Sequence, residues 1–259
     1  MNVTNEDIKR LEPFQLKSNS FQTGGTIYHY NDVLYKILSE YFFKDEIMRN
    51  VDFQIENHIP NSPHIYEKIF LHGNFYGYSM EYLRNAITFR EATKYCYDID
   101  KCLGIVHDIY TGVKFLHDRD ILLGDVHMDN LMVDDKGHGY LIDLDHMLFP
   151  GDDYKFNTLY SLKYSHDGYR NIKSSKKTDN IKVMLCCLSL MFGIDIENEM
   201  ISSYGIDVES VYEKYIMLVG SEELKNYFCD IIQGKDVIYF DDFCNANDLF
   251  CHKKRNLVK

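Results

Sequence analysis

The chain contains no apolar run long enough to span a bilayer, and its first ten residues, MNVTNEDIKR, hold no apolar signal region. These absences predict a cytoplasmic protein without membrane insertion. Basic charge is scarce: 28 Lys and Arg stand against 40 Asp and Glu, a formal charge of −12. A nucleic-acid surface needs clustered Lys and Arg to displace counterions, so the balance argues against nucleic acid as a partner. The one basic cluster, His252-Lys253-Lys254-Arg255, reads as a solvated tail. The seven cysteines are odd in number and show no CxxC spacing, which predicts reduced thiols in a reducing compartment. There is no internal repeat or low-complexity linker, and there are only four prolines. With 45% apolar residues, the 259-residue chain can bury a sizeable core, in one compact body that can carry two lobes.

What is present centres on Ile121–Asp145, ILLGDVHMDNLMVDDKGHGYLIDLD. Two short apolar runs, Ile121–Leu123 and Tyr140–Leu144, are bounded by Asp/Asn/His-rich and Lys136-Gly137 turns, a pattern of buried strands. Asp125, Asn130 and Asp143 then stand at strand ends facing one cleft. Two carboxylates and a carboxamide form an oxygen-only site suited to Mg²⁺ carrying a phosphate. Any one of them alone is better explained as a turn residue.

The N-terminal third reads as two hairpins and a helix. Asn31-Asp32 separates Phe21–Tyr28 from Val33–Leu38, and His72-Gly73-Asn74 separates Ile65–Leu71 from Phe75–Leu83. Gly24-Gly25 is a turn at which backbone N–H groups could approach phosphate oxygens. Lys36 lies inside the apolar run VLYKIL, and burying its charge unpaired is costly, so it requires a carboxylate partner. An apolar stripe over Tyr41–His58 predicts a helix that offers Glu46 or Glu56, although a Glu on a solvated face fits nearly as well. Helical periodicity returns over Ala86–His117, where His107 and His117 read as structural histidines. A polar stretch, His146–Ser175, follows. Ile181–Phe192 is apolar nearly all round, with Thr178 or Asp179 as N-cap and Gly193 as stop, which predicts a buried helix. Further helices are expected at Val208–Val219 and Ser221–Gln233, with a remnant at Asp241–Phe250.

GDVHMDN followed by LIDLD resembles the catalytic loop and metal-binding segment of the protein-kinase-like superfamily. Asn130 and Asp143 follow Asp125 by five and eighteen residues, the protein-kinase spacing. The resemblance covers roughly Phe21 to Gln233. It implies an α+β, bilobal fold, with a small β-rich lobe over 1–82 that binds nucleotide and a larger helical lobe over 83–259. It further implies ATP and Mg²⁺ as cofactors, with Asp125 as base and Asn130 and Asp143 on the metal. Lys36, paired with Glu46 in preference to Glu56, would hold the α- and β-phosphates beneath Gly24-Gly25. Met80 would be the gatekeeper, backbone groups of Glu81 and Leu83 would meet the adenine edge, and Asp179 would hold the catalytic loop.

Several positions depart from the pattern. The Gly turn lacks the full G-x-G-x-x-G spacing, and no Ala-Pro-Glu marker is recognisable near YSHDGYRN. Leu123-Gly124-Asp125 replaces His-Arg-Asp, which removes the arginine that reads an activation-loop phosphate and implies activity without such phosphorylation. Asp143-Leu144-Asp145 replaces Asp-Phe-Gly. His127 stands where serine/threonine kinases carry lysine, and GD-x-H-x-x-N is more similar to aminoglycoside-type phosphotransferases, whereas the Asp179 helix is more similar to a protein kinase. The resemblance therefore implies first a serine/threonine protein kinase, second a small-molecule phosphotransferase, and third a pseudokinase binding module. The substrate is a protein or small-molecule hydroxyl.

Overall fold

The structure is a computed structural model, and it describes residues 1–12, 25–39, 44–95, 97–152, 174–196, 201–202, 205–206, 214–219, 221–232, 235, 239–240 and 242–243. A short strand β1 (Asn2–Val3) leads into helix α1 (Asn5–Leu11), whose start is closed by a reciprocal capping box between Thr4 and Asp7. Strands β2 (Gly25–Tyr30) and β3 (Val33–Leu38) form a hairpin. Its two turn residues, Asn31 and Asp32, have φ of 51° and 61°, the left-handed pair that a two-residue hairpin demands. After helix α2 (Lys44–Glu56), strands β4 (Ile65–Leu71) and β5 (Asn74–Glu81) repeat the device through His72 and Gly73, at φ 52° and 80°. The sheet order is β1-β4-β5-β3-β2.

Strand alternation sends successive side chains of β3 to opposite faces. Ile37 joins Tyr28 and Ile69 on the face near α1, while Leu38 joins Ile47, Val51, Ile65, Phe75 and Tyr78 on the face covered by α2. Lys36, two residues before Leu38, projects with it towards α2.

The C-terminal part is largely helical. Strand β6 (Ile87–Thr88) and the short helix α3 (Phe89–Ala92) precede α4 (Ile99–His117), which Asp98 caps through the Lys101 N–H. Strands β7 (Leu131–Val133) and β8 (Gly139–Leu141) complete a three-stranded sheet with β6. Helix α5 (Lys176–Phe192) runs through the main core and packs on α3 and α4, with Val183–Leu188 all buried. A two-residue hairpin, β9 (Ile201–Ser202) and β10 (Gly205–Ile206), and helix α6 (Glu222–Ile232) follow, α6 packing on α5. The architecture is thus mixed α+β and bilobal, with the five-stranded sheet N-terminal and the helices C-terminal. Among the described residues no helix is long and apolar enough to cross a membrane.

Local readings needed correction at several points. Ile121–Leu123 forms only a single bridge, Leu122 to Leu148, and the strand that pairs with Gly139–Leu141 is Leu131–Val133. Ile87–Thr88, within the expected helical region, pairs with β7 as a strand. The cap of α5 is Ser175, in a capping box with Thr178, which leaves the Asp179 carboxylate free for another task. Ile216–Leu218 is a 3₁₀ turn. Gly24, most of His146–Ser175 and most of Asp241–Phe250 lie outside the described residues.

Helix α4 meets β8 almost backbone to backbone, and this contact sets the height of the Asp143 segment. A Cβ at Gly112 would lie 2.7 Å from the Pro60 carbonyl oxygen and 2.6 Å from Leu141 Cδ1; one at Gly139 would lie 2.6 Å from the Ile105 carbonyl oxygen. Ala in place of a helical Gly gains about 1 kcal/mol in propensity. Overpacking against a fixed carbonyl costs about 1–3 kcal/mol and outweighs that gain. Gly112→Ala is therefore expected to lose up to about 2 kcal/mol in urea unfolding; a gain in stability would refute the close contact.

Candidate active site

Cross-strand register builds the first part of the site. Lys36 on β3 is the direct partner of Tyr78 on β5, so both side chains leave the same face of the sheet. Both reach Asp145: Lys36 Nζ donates to its Oδ2 at 2.7 Å, and the Tyr78 hydroxyl donates to its Oδ1. Lys36 Nζ also donates to Asp143 Oδ1. Burial works against the Lys36 charge, but the two carboxylates more than reverse it and hold the ammonium above its ordinary pKa. They fare differently. Burial raises Asp143 but Lys36 prevails, leaving it below the ordinary carboxylate range. Asp145 is only 2% exposed; burial outweighs Lys36 there, and its carboxyl is raised.

The turn after β8 presents these two carboxylates. Asp143 takes left-handed backbone, φ 55° and ψ 50°, a conformation Asp tolerates better than most residues, and a 3₁₀ turn over Leu144–His146 follows. Helix α2 clamps this turn with amides. Asn50 Nδ2 donates to the backbone carbonyls of Asp145 (2.5 Å) and Met147 (3.0 Å), and Gln54 Nε2 donates to that of Leu144 at 3.5 Å. Further along, Arg49 grips both oxygens of Asp152 at 2.8 and 2.6 Å.

This arrangement corrects the pairing expected for Lys36. Its carboxylates come from the segment after β8, while Glu46 and Glu56 are exposed. The face that α2 turns to that segment carries Asn50 and Gln54, and Glu46 lies one turn earlier, in the open first turn.

Asp125 and Asn130 lie on the neighbouring loop. Asn130 Nδ2 donates to the Asp125 carbonyl at 3.0 Å, and the Ile142 N–H donates to the Asn130 carbonyl at 3.0 Å, placing Asn130 beside the residue preceding Asp143. His127 Nδ1 accepts the Asp129 N–H at 3.3 Å, and its Nε2 lies 3.6 Å from Asp125 Oδ2. Burial pushes the Asp125 carboxyl up; the nearby His127 leads the opposing effects, which win and hold it below the usual aspartate range. Arg90 holds Asp129 from below through both carboxylate oxygens and also bonds Asp195, tying the loop to the end of α5.

Beneath the loop, Asp179 Oδ2 accepts the Leu123 N–H at 2.8 Å and meets His117 Nε2 at 3.2 Å. His117 Nδ1 in turn meets the Tyr239 hydroxyl at 2.9 Å. His117 is wholly buried and thus a structural histidine. The remaining expected site residues stand at strand ends, Gly25 level with Leu38 at one end of the sheet and Met80 and Glu81 level with Leu34 and Val33 at the other. Gly25 opens β2, and Met80 and Glu81 close β5. Glu81 ties to His64 through its N–H (2.8 Å) and carboxylate (3.2 Å), and Leu83 follows, its carbonyl accepting the Ala86 N–H at 3.3 Å. Asn50, Gln54, Tyr78 and Asp145 were not singled out from sequence. An amide pair at i and i+4 on α2 was the available signal for the first two.

Hydrogen bonds from Arg49 lead the effects that keep Asp152 below the ordinary carboxylate pKa. A depressed folded-state pKa contributes stability above the unfolded value, near 4, that is lost as pH falls through the folded one. The pair is partly exposed, so Asp152→Asn is expected to cost only about 1 kcal/mol at pH 7. Its deficit relative to wild type should shrink towards pH 3 in denaturant titrations; an equal deficit at both pH values would refute the ion pair.

Comparison with known proteins supports the fold and is silent on sequence kinship. No protein-family profile matches the chain, and no curated protein matches it in sequence. Among solved structures, the kinase PK-1 of the Cydia pomonella granulovirus superimposes with a TM-score of 0.62, covering 92% of this chain and 96% of that one at 14% identity. At that identity the likeness establishes the fold alone: this chain has a protein-kinase-like fold.

Proposed function

We propose that the chain is an ATP- and Mg²⁺-dependent phosphotransferase that moves the γ-phosphate to a hydroxyl group, with serine or threonine of a protein as the first substrate. The observation that carries this reading is a buried ammonium, Lys36, paired to Asp143 beside a loop that presents Asp125 and Asn130. The solved neighbour is itself described as a kinase.

The residues fit the cation. Asn130 commits its NH₂ to the Asp125 carbonyl, which leaves its oxygen available, and Asp143 keeps one oxygen beyond Lys36, with 37% of its side chain exposed. Among the described residues no group of three or more His, Cys, Asp or Glu could hold a metal unaided. That suits Mg²⁺, which is held by one or two protein oxygens and completed by phosphates and water. When bound, Mg²⁺ supplies neutralisation of the phosphate charge. Lys36 holds the nucleotide phosphates, the Met80–Leu83 edge receives the base where lobe 1–82 meets lobe 83–259, and Gly24-Gly25 covers the phosphates. Asp125, kept ionised by its depressed pKa, orients the substrate hydroxyl and accepts its proton.

A small-molecule hydroxyl is the second reading, favoured by His127 Nε2 lying 3.6 Å from Asp125. Incubation with γ-labelled ATP, a generic protein acceptor and an aminoglycoside panel separates the two by where the label appears. Asp125→Ala should lower transfer by about 10²–10⁴-fold. Equal transfer by wild type and variant would sink the mechanism, and a chain that binds ATP without transferring label would be a binding module.

A further inference from the structure

We infer that Asp145 is the positioning residue for Lys36, in the role that a carboxylate of α2 was expected to play; this rests on the phosphotransferase reading. The two carboxylates on Lys36 are not equivalent. Asp143 has 37% of its side chain exposed and keeps an oxygen beyond Lys36, whereas Asp145 is 2% exposed and both its oxygens are committed, one to Lys36 Nζ and one to the Tyr78 hydroxyl. A carboxylate with both oxygens taken and no access from the cleft has nothing to offer a cation or a phosphate. Asp143 does, and engaging a cation draws its charge away from Lys36. Asp145 then remains as the fixed anion that keeps the ammonium charged and aimed at the phosphates.

The surroundings are built to hold Asp145 still. Register makes Lys36 and Tyr78 cross-strand partners, so the donors to its two oxygens come from adjacent strands at one level of the sheet. Its own carbonyl, and those of Leu144 and Met147, are pinned by Asn50 and Gln54 of α2. The helix thus positions the lysine at second hand: it holds the turn, and the turn holds Lys36. Glu46 remains exposed.

The test is nucleotide affinity of the full chain by calorimetry, with ATP in the presence and absence of Mg²⁺, alongside thermal melting. Asp145→Asn keeps the shape and removes the charge; ATP binding should weaken about tenfold with Mg²⁺, which engages Asp143, and less without it, where Asp143 still holds Lys36. Its melting temperature should hold or rise, because one of two buried carboxylates facing a single ammonium is gone. A residue that merely supported the fold would show the opposite split, with lower melting temperature and intact ATP affinity, and that outcome overturns the inference. Tyr78→Phe, which removes one hydroxyl, should weaken ATP binding by about two- to threefold and decides the matter if Asp145→Asn does not fold. Unchanged affinity in Tyr78→Phe and in any folded Asp145→Asn overturns the inference, as does an equal loss in Glu46→Ala. If the wild-type chain itself does not bind ATP, the phosphotransferase reading fails instead.

Discussion

A buried lysine with two aspartates governs how this molecule is assembled. The effective penalty for burying an ion is several kcal/mol, and removing the partner of a buried pair costs about 3–5 kcal/mol, so Lys36 cannot stand inside β3 unless carboxylates are brought to it. They arrive from more than one hundred positions later in the chain, since Asp143 and Asp145 lie 107 and 109 residues beyond Lys36. The lobes are joined at this point by charge as well as by packing. Two carboxylates for one ammonium leave the cluster with surplus negative charge; burial raises the Asp145 carboxyl, and the neighbouring Asp143 charge adds to it.

The rest of the fold serves to keep this cluster in register. Hairpins with left-handed turns align β3 with β5, setting Lys36 opposite Tyr78. Glycines at 112 and 139 let α4 and β8 approach closely, which sets the start of the turn that carries both aspartates. The amides of α2 then satisfy the carbonyls of that turn, groups that would otherwise be buried without donors. Neutral amides do this without adding a third negative charge to an already anionic site.

A second network supports the adjoining loop from below. Asp179, His117 and Tyr239 form a buried chain of hydrogen bonds that ends on the Leu123 backbone, and Arg90 fastens Asp129 to Asp195. Both supports are internal to the described residues. Neither uses an arginine at position 124, where this chain has glycine.

The sequence by itself determined the local elements and the chemistry of the central stretch. Asn31-Asp32 and His72-Gly73 announced their hairpins because few residues tolerate φ > 0, while α4 announced itself by apolar periodicity and α5 by being apolar nearly all round. Asp125, Asn130 and Asp143 were singled out as oxygen donors whose order and spacing resemble the protein-kinase pattern, and the same resemblance implied Asp179 as the anchor of the loop. Only the tertiary structure decided which carboxylate meets Lys36. The helical pattern offered Glu46 or Glu56, and the resemblance favoured Glu46, which precedes Ile47-Met48 as the paired Glu does in the family's helix. That pattern cannot report where along the helix a distant loop packs, and it is this position that sets Asn50 and Gln54 against the turn and leaves Glu46, one turn earlier on the same face, exposed. The same holds for Tyr78, which sequence reads as a strand aromatic and which strand register alone converts into a donor to Asp145. Local propensity is written in neighbours along the chain; the pairing of a buried charge is settled by whichever opposite charge the packed core brings within reach, here one from 109 residues away.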